Sequence, residues 1–173
     1  EMLEKEGYTE LKEADKWEIK KGGNYYVTRN DSSLIAFSVP EGEAKGFRIM
    51  ASHSDSPTFK IKENPEITVE KAYVKLNVEK YGGMLMSSWL DRPLSVAGRV
   101  MVLEDGEIRE KLVSVDRDIL LIPNLAVHMN REANDGYAYN AQKDMLPLYS
   151  CSEGDFMEML AKEAGVSKEE ILS

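Results

Sequence analysis

The chain of 173 residues holds two histidines, His53 and His128. His53 stands in Ala51-Ser52-His53-Ser54-Asp55-Ser56-Pro57, directly after the run Phe47-Arg48-Ile49-Met50-Ala51. That run predicts a short strand, and ligands collect at the carboxyl ends of strands in open α/β sheets. A His-X-Asp spacing there lets one imidazole nitrogen bind a metal. The carboxylate can then hold the other ring N–H or a neighbouring group, fixing the ring's tautomer and direction. Pro57 stiffens the exit of the loop. The same spacing also describes a His–Asp pair that only tethers a loop, because 31 acidic residues make such triplets common. His53 cannot form a site alone. Catalytic zinc takes about three protein ligands plus water, and the sequence has neither paired cysteines nor His-Glu-X-X-His.

Other reactive residues carry weaker signals. His128 follows the apolar run 119–127, and on spacing alone it reads as a structural histidine near a strand end. Ser52, Ser54 and Ser56 lack the Gly-X-Ser-X-Gly elbow of a serine nucleophile. Gly82-Gly83 lacks the context of a phosphate loop. Asp91-Arg92 reads as a structural ion pair. Cys151 precedes an expected helix start, where a thiol pKa can fall, but a lone thiol there reads as incidental. As the single cysteine it cannot close an intrachain disulfide, which fits a reducing cytosol.

The elements that must position these residues follow from periodicity and turn chemistry. Residues 1–16 place Leu3, Tyr8 and Leu11 among charges, suggesting a short surface helix. Residues 17–40 read as strand and turn, with turns at Gly22-Gly23 and Asn30-Asp31-Ser32 and apolar extended stretches at 25–28 and 34–39. After Pro65 a rough alternation of apolar and charged residues indicates antiparallel strands with one wet face. Tyr81-Gly82-Gly83 is a turn or a point of close approach. Residues 96–103 and 108–115 around Asp105-Gly106 predict a hairpin. Residues 119–129 are apolar and extended, with Pro123 at an edge or bulge, and 130–150 form a polar loop. Ser152 is expected to cap a helix with Phe156, Leu160, Ala161 and Ala164 inward and Gly165 as its stop. A second helix start is expected from Ser167-Lys168-Glu169-Glu170. Together these give an α/β start over 1–63 and a β-rich unit over 64–173, divided near Asn64.

Composition narrows the function. Twenty-two basic and 31 acidic residues give a net charge of −9, which disfavours nucleic acid and anionic membrane as partners. No charge-free run approaches the ~20 apolar residues of a membrane span, and no charged-then-apolar leader is visible. A cytoplasmic protein is expected. Both ends read as interior to a longer polypeptide: the chain opens without Met, and it closes just after the Ser167 capping box.

Several blocks, in order, resemble the aspartyl aminopeptidase family of dinuclear zinc metallopeptidases. They are Ala51-Ser52-His53-Ser54-Asp55-Ser56-Pro57, Tyr81-Gly82-Gly83, Trp89-Leu90-Asp91-Arg92-Pro93-Leu94-Ser95 and Ala97-Gly98-Arg99-Val100. Ile122-Pro123-Asn124-Leu125-Ala126-Val127-His128, Asn140-Ala141-Gln142-Lys143 and Leu146-Pro147-Leu148 continue the series. The resemblance covers roughly residues 17–172. It implies an α/β catalytic domain interrupted by a β-rich inserted dimerisation domain, the latter incomplete at its C-terminus here. It further implies two zinc ions per site, removal of N-terminal Asp or Glu from peptides, and homo-oligomers in which dimers assemble to a dodecamer. By this resemblance His53 matches the first histidine metal ligand, and Asp55 matches the acid that orients it. His128 matches a histidine that reaches a neighbouring protomer's active site. Asp91 lies in the inserted domain and is read as structural. The remaining ligands and the general base match nothing in these 173 residues. Two rival expectations stand beside this one. The chain could be an oligomerisation fragment without catalysis, or part of a related dinuclear aminopeptidase of broader specificity.

Overall fold

The structure is a computed structural model that describes residues 2–30 and 32–173. The chain divides into two compact units, Glu1–Ser56 and Pro57–Ser173. Strands dominate both, and helices are few. Among the described residues no helix is long and apolar enough to cross a membrane.

The first unit holds a small sheet. Helix α1 (Met2–Lys5) is followed by β1 (Thr9–Glu10), β2 (Asn24–Arg29) and β3 (Ser33–Ser38), in the sheet order β1-β2-β3. β1 runs parallel to β2, and β2 pairs antiparallel with β3 in the register Tyr25↔Phe37 and Val27↔Ile35. The helix expected over 1–16 is therefore one turn only. Gly7 at φ +79° ends it, and Thr9 and Glu10 leave to lie beside Tyr25 and Tyr26. Leu3 and Tyr8 stand five residues apart, a step that breaks the three- and four-residue spacing of a single apolar helix face. Tyr25, Tyr26 and Val27 are the buried residues of the sheet. Phe37 packs on Tyr25 at 5.6 Å between ring centroids and on Trp17 at 6.5 Å. The turn between β2 and β3 carries Asn30 at φ +51°; Asp31, part of the expected turn, lies outside the described residues.

The strand expected at 47–51 is absent. Residues 43–57 form neither helix nor strand, and Phe47, Ile49 and Met50 are 94%, 84% and 99% exposed. A strand that is apolar on both faces is stable when both faces are covered. Among the described residues no neighbour pairs with this one.

The second unit contains β4 (Thr58–Val69), β5 (Tyr73–Tyr81), a short 3₁₀ turn (Met86–Trp89), β6 (Pro93–Leu94), β7 (Ala97–Glu104), β8 (Glu107–Ser114), β9 (Leu120–Leu121), β10 (Leu148–Ser150) and α2 (Phe156–Ala164). Five strands form one sheet in the order β4-β5-β10-β9-β6, and β7 and β8 form a separate hairpin. The Asn64-Pro65 break falls inside β4. There the pairing with β5 shifts between Ile61 and Glu66, and Asn77 Nδ2 donates to the Asn64 carbonyl at 3.3 Å. Proline cannot donate to a ladder, and the bulge accommodates it. The predicted hairpin forms around Asp105 and Gly106, both at positive φ (53° and 79°), as a two-residue turn matched to strand twist requires.

Helix α2 joins sheet to hairpin. Phe156, 1% exposed, packs with Leu76, Val78 and Leu120 of the sheet. Met159 and Leu160 pack against both this cluster and the hairpin cluster of Val100, Val102, Val113 and Val115. The cap is Asp155 rather than Ser152. Its carboxylate accepts the Glu158 N–H at 2.8 Å, and Glu66 of β4 accepts the Phe156 N–H at 2.6 Å. Two carboxylates thus satisfy donors that the helix itself leaves open. Gly165, at φ +69°, ends the helix, and the Val166 N–H returns to the Ala161 carbonyl at 3.0 Å. The helix start expected at Ser167 gives only a 3₁₀ turn over Lys168–Glu170. The chain then extends along β7 through a bridge between Ile171 and Val102.

Phe156→Ala empties the shared core and is expected to lower unfolding stability by about 3–5 kcal/mol. Leu112→Ala, at a position 81% exposed, is expected to stay within about 0.5 kcal/mol, both read by denaturant melts. The ion pair with Lys168, then the Glu158 N–H, lower the Asp155 carboxyl below the ordinary aspartate range. A lowered folded-state pKa contributes stability above the unfolded value, and that contribution is lost as pH falls through the folded one. Stability of Asp155→Asn is therefore expected to decline less with acid than that of the parent; equal acid sensitivity in the same melts would remove this role from Asp155.

Candidate metal-ligand site

His53 lies on the irregular stretch that follows β3. Its side chain is 80% exposed and that of Asp55 54%. His53 Nδ1 is 2.8 Å from the Asp55 carbonyl oxygen and 3.1 Å from Asp55 Oδ1. Both partners are acceptors, so Nδ1 carries the proton and donates. In the neutral ring this leaves the lone pair on Nε2, the form in which a histidine ligates a metal. The loop is further tied by the Ser54 hydroxyl, which donates to the Ser32 carbonyl at 3.4 Å. The His-X-Asp triplet thus brings ring and acid together as its spacing suggests, but on a loop rather than at a strand end.

These donors fit one ligand position for a divalent ion. Among the described residues no group of three or more His, Cys, Asp or Glu side chains could hold a metal. What the geometry offers is one imidazole whose tautomer is set by the residue two positions on.

His128 belongs to the second unit and is exposed there on a turn over residues 127–129. The Met129 and Asn130 N–H groups both donate to the Ala126 carbonyl, at 2.8 and 3.2 Å. It is therefore not the packed strand-end histidine that spacing suggests. The apolar run ends earlier: β9 covers Leu120–Leu121, fully buried Ile122 bridges to Leu90, and Pro123 then turns the chain out. Asp91 fixes that departure. Its N–H donates to the Ile122 carbonyl at 2.9 Å, and its Oδ1 accepts the Asn124 N–H at 2.9 Å. Arg92 donates to the Ser88 carbonyl at 3.2 Å, so the expected Asp91–Arg92 ion pair does not form. The bond to Asn124 spans 33 positions and has no local signal in the sequence.

Beneath the His128 turn lies a pocket of about 130 Å³, lined in part by Lys75, Leu90, Asn124, Asn130, Tyr137 and Tyr139. The two tyrosines meet edge to face at 5.1 Å, and the Tyr137 hydroxyl donates to Asp144 at 3.2 Å. Desolvation, then the Asp144 charge, push the Tyr137 phenol up. Asp144 also accepts the Asn140 N–H at 2.7 Å, so the loop is braced from within. Gly82 sits at φ +78°, a conformation that favours glycine, as the expected turn there requires; an added Cβ would meet the Pro57 Cα at 3.4 Å, an ordinary contact. Cys151 is exposed and lies outside α2.

Comparison with known proteins gives a consistent result. The family described as "Aminopeptidase I zinc metalloprotease (M18)" matches residues 1–173. The probable M18 family aminopeptidase 2 of Clostridium novyi is 47% identical over 181 aligned residues, covering 99% of this chain and 42% of the relative. Among solved structures, a chain from the Ape4 and Nbr1 complex is 34% identical with a TM-score of 0.87, over 99% of this chain and 38% of that one. The mApe1 dodecamer of S. cerevesiae is 27% identical with a TM-score of 0.75, over 99% and 41%. The chain thus spans about two fifths of the length of the relatives it matches. With a match along its whole length and the same backbone course, the chain belongs to the M18 family of aminopeptidases.

Proposed function

We propose that the complete protein is a zinc-dependent aminopeptidase that removes N-terminal Asp or Glu from peptides, and that it works in the cytoplasm as a homo-oligomer. The observation that carries the reading is the M18 match along all 173 residues, with a His53 ring held in a metal-ready tautomer inside it. The first unit, from which the α/β catalytic domain begins, supplies His53 as a ligand through Nε2. Asp55 keeps the proton on Nδ1 and the ring in its orientation. His128, on the β-rich dimerisation domain, serves a neighbouring subunit's site, where its N–H donates to the charge developing on the scissile carbonyl oxygen. Bound divalent ions supply polarisation of that carbonyl and a water acidified enough to attack it. The dodecamer described for mApe1 supports a closed homo-oligomer here as well. A net charge of −9 does not draw acidic peptides from a distance, so selectivity for them rests on cations close to the bound side chain. With one imidazole as its contribution to the metal, the 173-residue stretch does not turn over peptide by itself.

Two measurements test this. In the complete enzyme, His53→Ala is expected to reduce both metal content and turnover to background, and Asp55→Ala to weaken metal binding by about 10–100-fold. Unchanged zinc with unchanged turnover would refute the ligand role. Oligomers mixed from His53→Ala and His128→Ala subunits are expected to regain part of the activity that each lacks alone, assayed on a panel of N-terminal Asp, Glu, Leu and Lys substrates. No recovery in proven mixed oligomers removes the shared site, and equal rates on all four substrates remove the acidic preference.

A further inference from the structure

We propose that Asp91 is a positioning residue for His128, gripping the backbone at Ile122 and Asn124 so that the histidine turn leaves the sheet in one direction. This rests on the role given to His128 above. Asp91 touches the segment twice, donating its own N–H to the Ile122 carbonyl and accepting the Asn124 N–H on Oδ1, each at 2.9 Å. Pro123, between the two, has no N–H to offer. Among the described residues, the Asp91 carboxylate makes the only hydrogen bond that reaches residues 124–129 from a distant part of the chain. The other bonds of that stretch are local. Asn124 Oδ1 accepts the Leu125 N–H at 2.8 Å, and the Ala126 carbonyl closes the turn that holds His128.

The grip depends on an unusual backbone. Asp91 sits at φ +55°, between the 3₁₀ turn and β6. Short side chains with a polar end tolerate that conformation better than other non-glycine residues do. It aims the N–H and the carboxylate at the two sides of Pro123. Upstream the anchor is firm, because Ile122 is fully buried and bridged to Leu90. Downstream the segment is exposed and self-bonded. The Asp91 carboxylate is the step that carries order from the first part to the second.

Three substitutions in the complete enzyme separate the acceptor from the backbone. Asp91→Asn keeps an oxygen acceptor and the tolerance for positive φ. Asp91→Gly keeps the backbone without strain and loses the acceptor. His128→Ala provides the background. Asp91→Gly is expected to lower kcat by about 10–100-fold, the scale on which a displacement near 1 Å acts on turnover. Asp91→Asn is expected to remain close to the parent. In the His128→Ala background, Asp91→Gly is expected to cost nothing further, because both changes act through one side chain. Hydrogen exchange at the Asn124 N–H, which reads the bond without any assay of turnover, is expected to quicken in the Gly variant and not in the Asn variant. Parental kcat in Asp91→Gly overturns the proposal, as does an equal loss with and without His128, which would mark a general effect on folding. If His128→Ala itself leaves turnover unchanged, the role of His128 falls first. If His128→Ala is impaired while Asp91→Gly is not, only the clamp falls.

Discussion

The second unit depends on one buried contact, Phe156 of α2 against Leu76, Val78 and Leu120. A nine-residue helix is too short to be stable by its own hydrogen bonds, and most of its stability comes from the face it buries. Here that face is shared. Phe156 closes the sheet, Met159 and Leu160 reach both sheet and hairpin, and Ala164 lies against the hairpin. Leu120 belongs to the Phe156 cluster, and Ile122 two residues on is fully buried. The course toward His128 is therefore laid from the core outward: a packed strand, a bridged residue, a proline, a clamped amide and then an exposed turn. Beyond Ile122 the segment is exposed, and hydrogen bonds to Asp91 and Ala126 hold it instead of apolar packing.

The first unit is built differently. Among the described residues its buried apolar side chains are Tyr25, Tyr26 and Val27, on one strand. The loop that carries His53 follows an apolar stretch open to solvent. An exposed ion pair contributes about 0–1 kcal/mol to stability. The His53–Asp55 contact is therefore better understood as a choice of tautomer than as a support for the fold. The carbonyl and the carboxylate of one residue both favour a proton on Nδ1.

What was legible in the sequence divides along physical lines. The β7–β8 hairpin was, because Asp105-Gly106 fixes both the turn and the register. So were the inner face of α2 and its stop at Gly165, which follow from helical periodicity and one left-handed residue. The His53–Asp55 contact is separated by two positions and was read directly from spacing. The losses share a cause. The strand expected at 47–51 fails because strand formation depends on partners that a local pattern does not name. Ser152 loses the cap to Asp155, where Lys168 and the Glu158 N–H both find the carboxylate. Adjacency in sequence pairs Asp91 with Arg92, whereas the partner of its carboxylate lies 33 positions away. Local chemistry was readable, and long-range polar pairing was not.

The acidity of the chain acquires a structural meaning from these pairings. A loop such as 123–147 has few ladder partners for its backbone N–H groups, and buried or constrained donors must be satisfied. Carboxylates do much of this. Asp91 takes the Asn124 N–H, Asp144 that of Asn140, Asp155 that of Glu158, Glu66 that of Phe156 and Glu170 that of Ser167. An ionised carboxylate accepts only, and its hydrogen bonds to backbone N–H are roughly twice as strong as neutral ones. The excess of 31 acids over 22 bases is thus in part a supply of acceptors for backbone that lies outside sheets. It also explains why counting acids near a histidine reveals little about metal binding. Asp55 differs from these in accepting a hydrogen bond from a ring: its carbonyl and its carboxylate both face His53 Nδ1 and so favour the tautomer with the lone pair on Nε2.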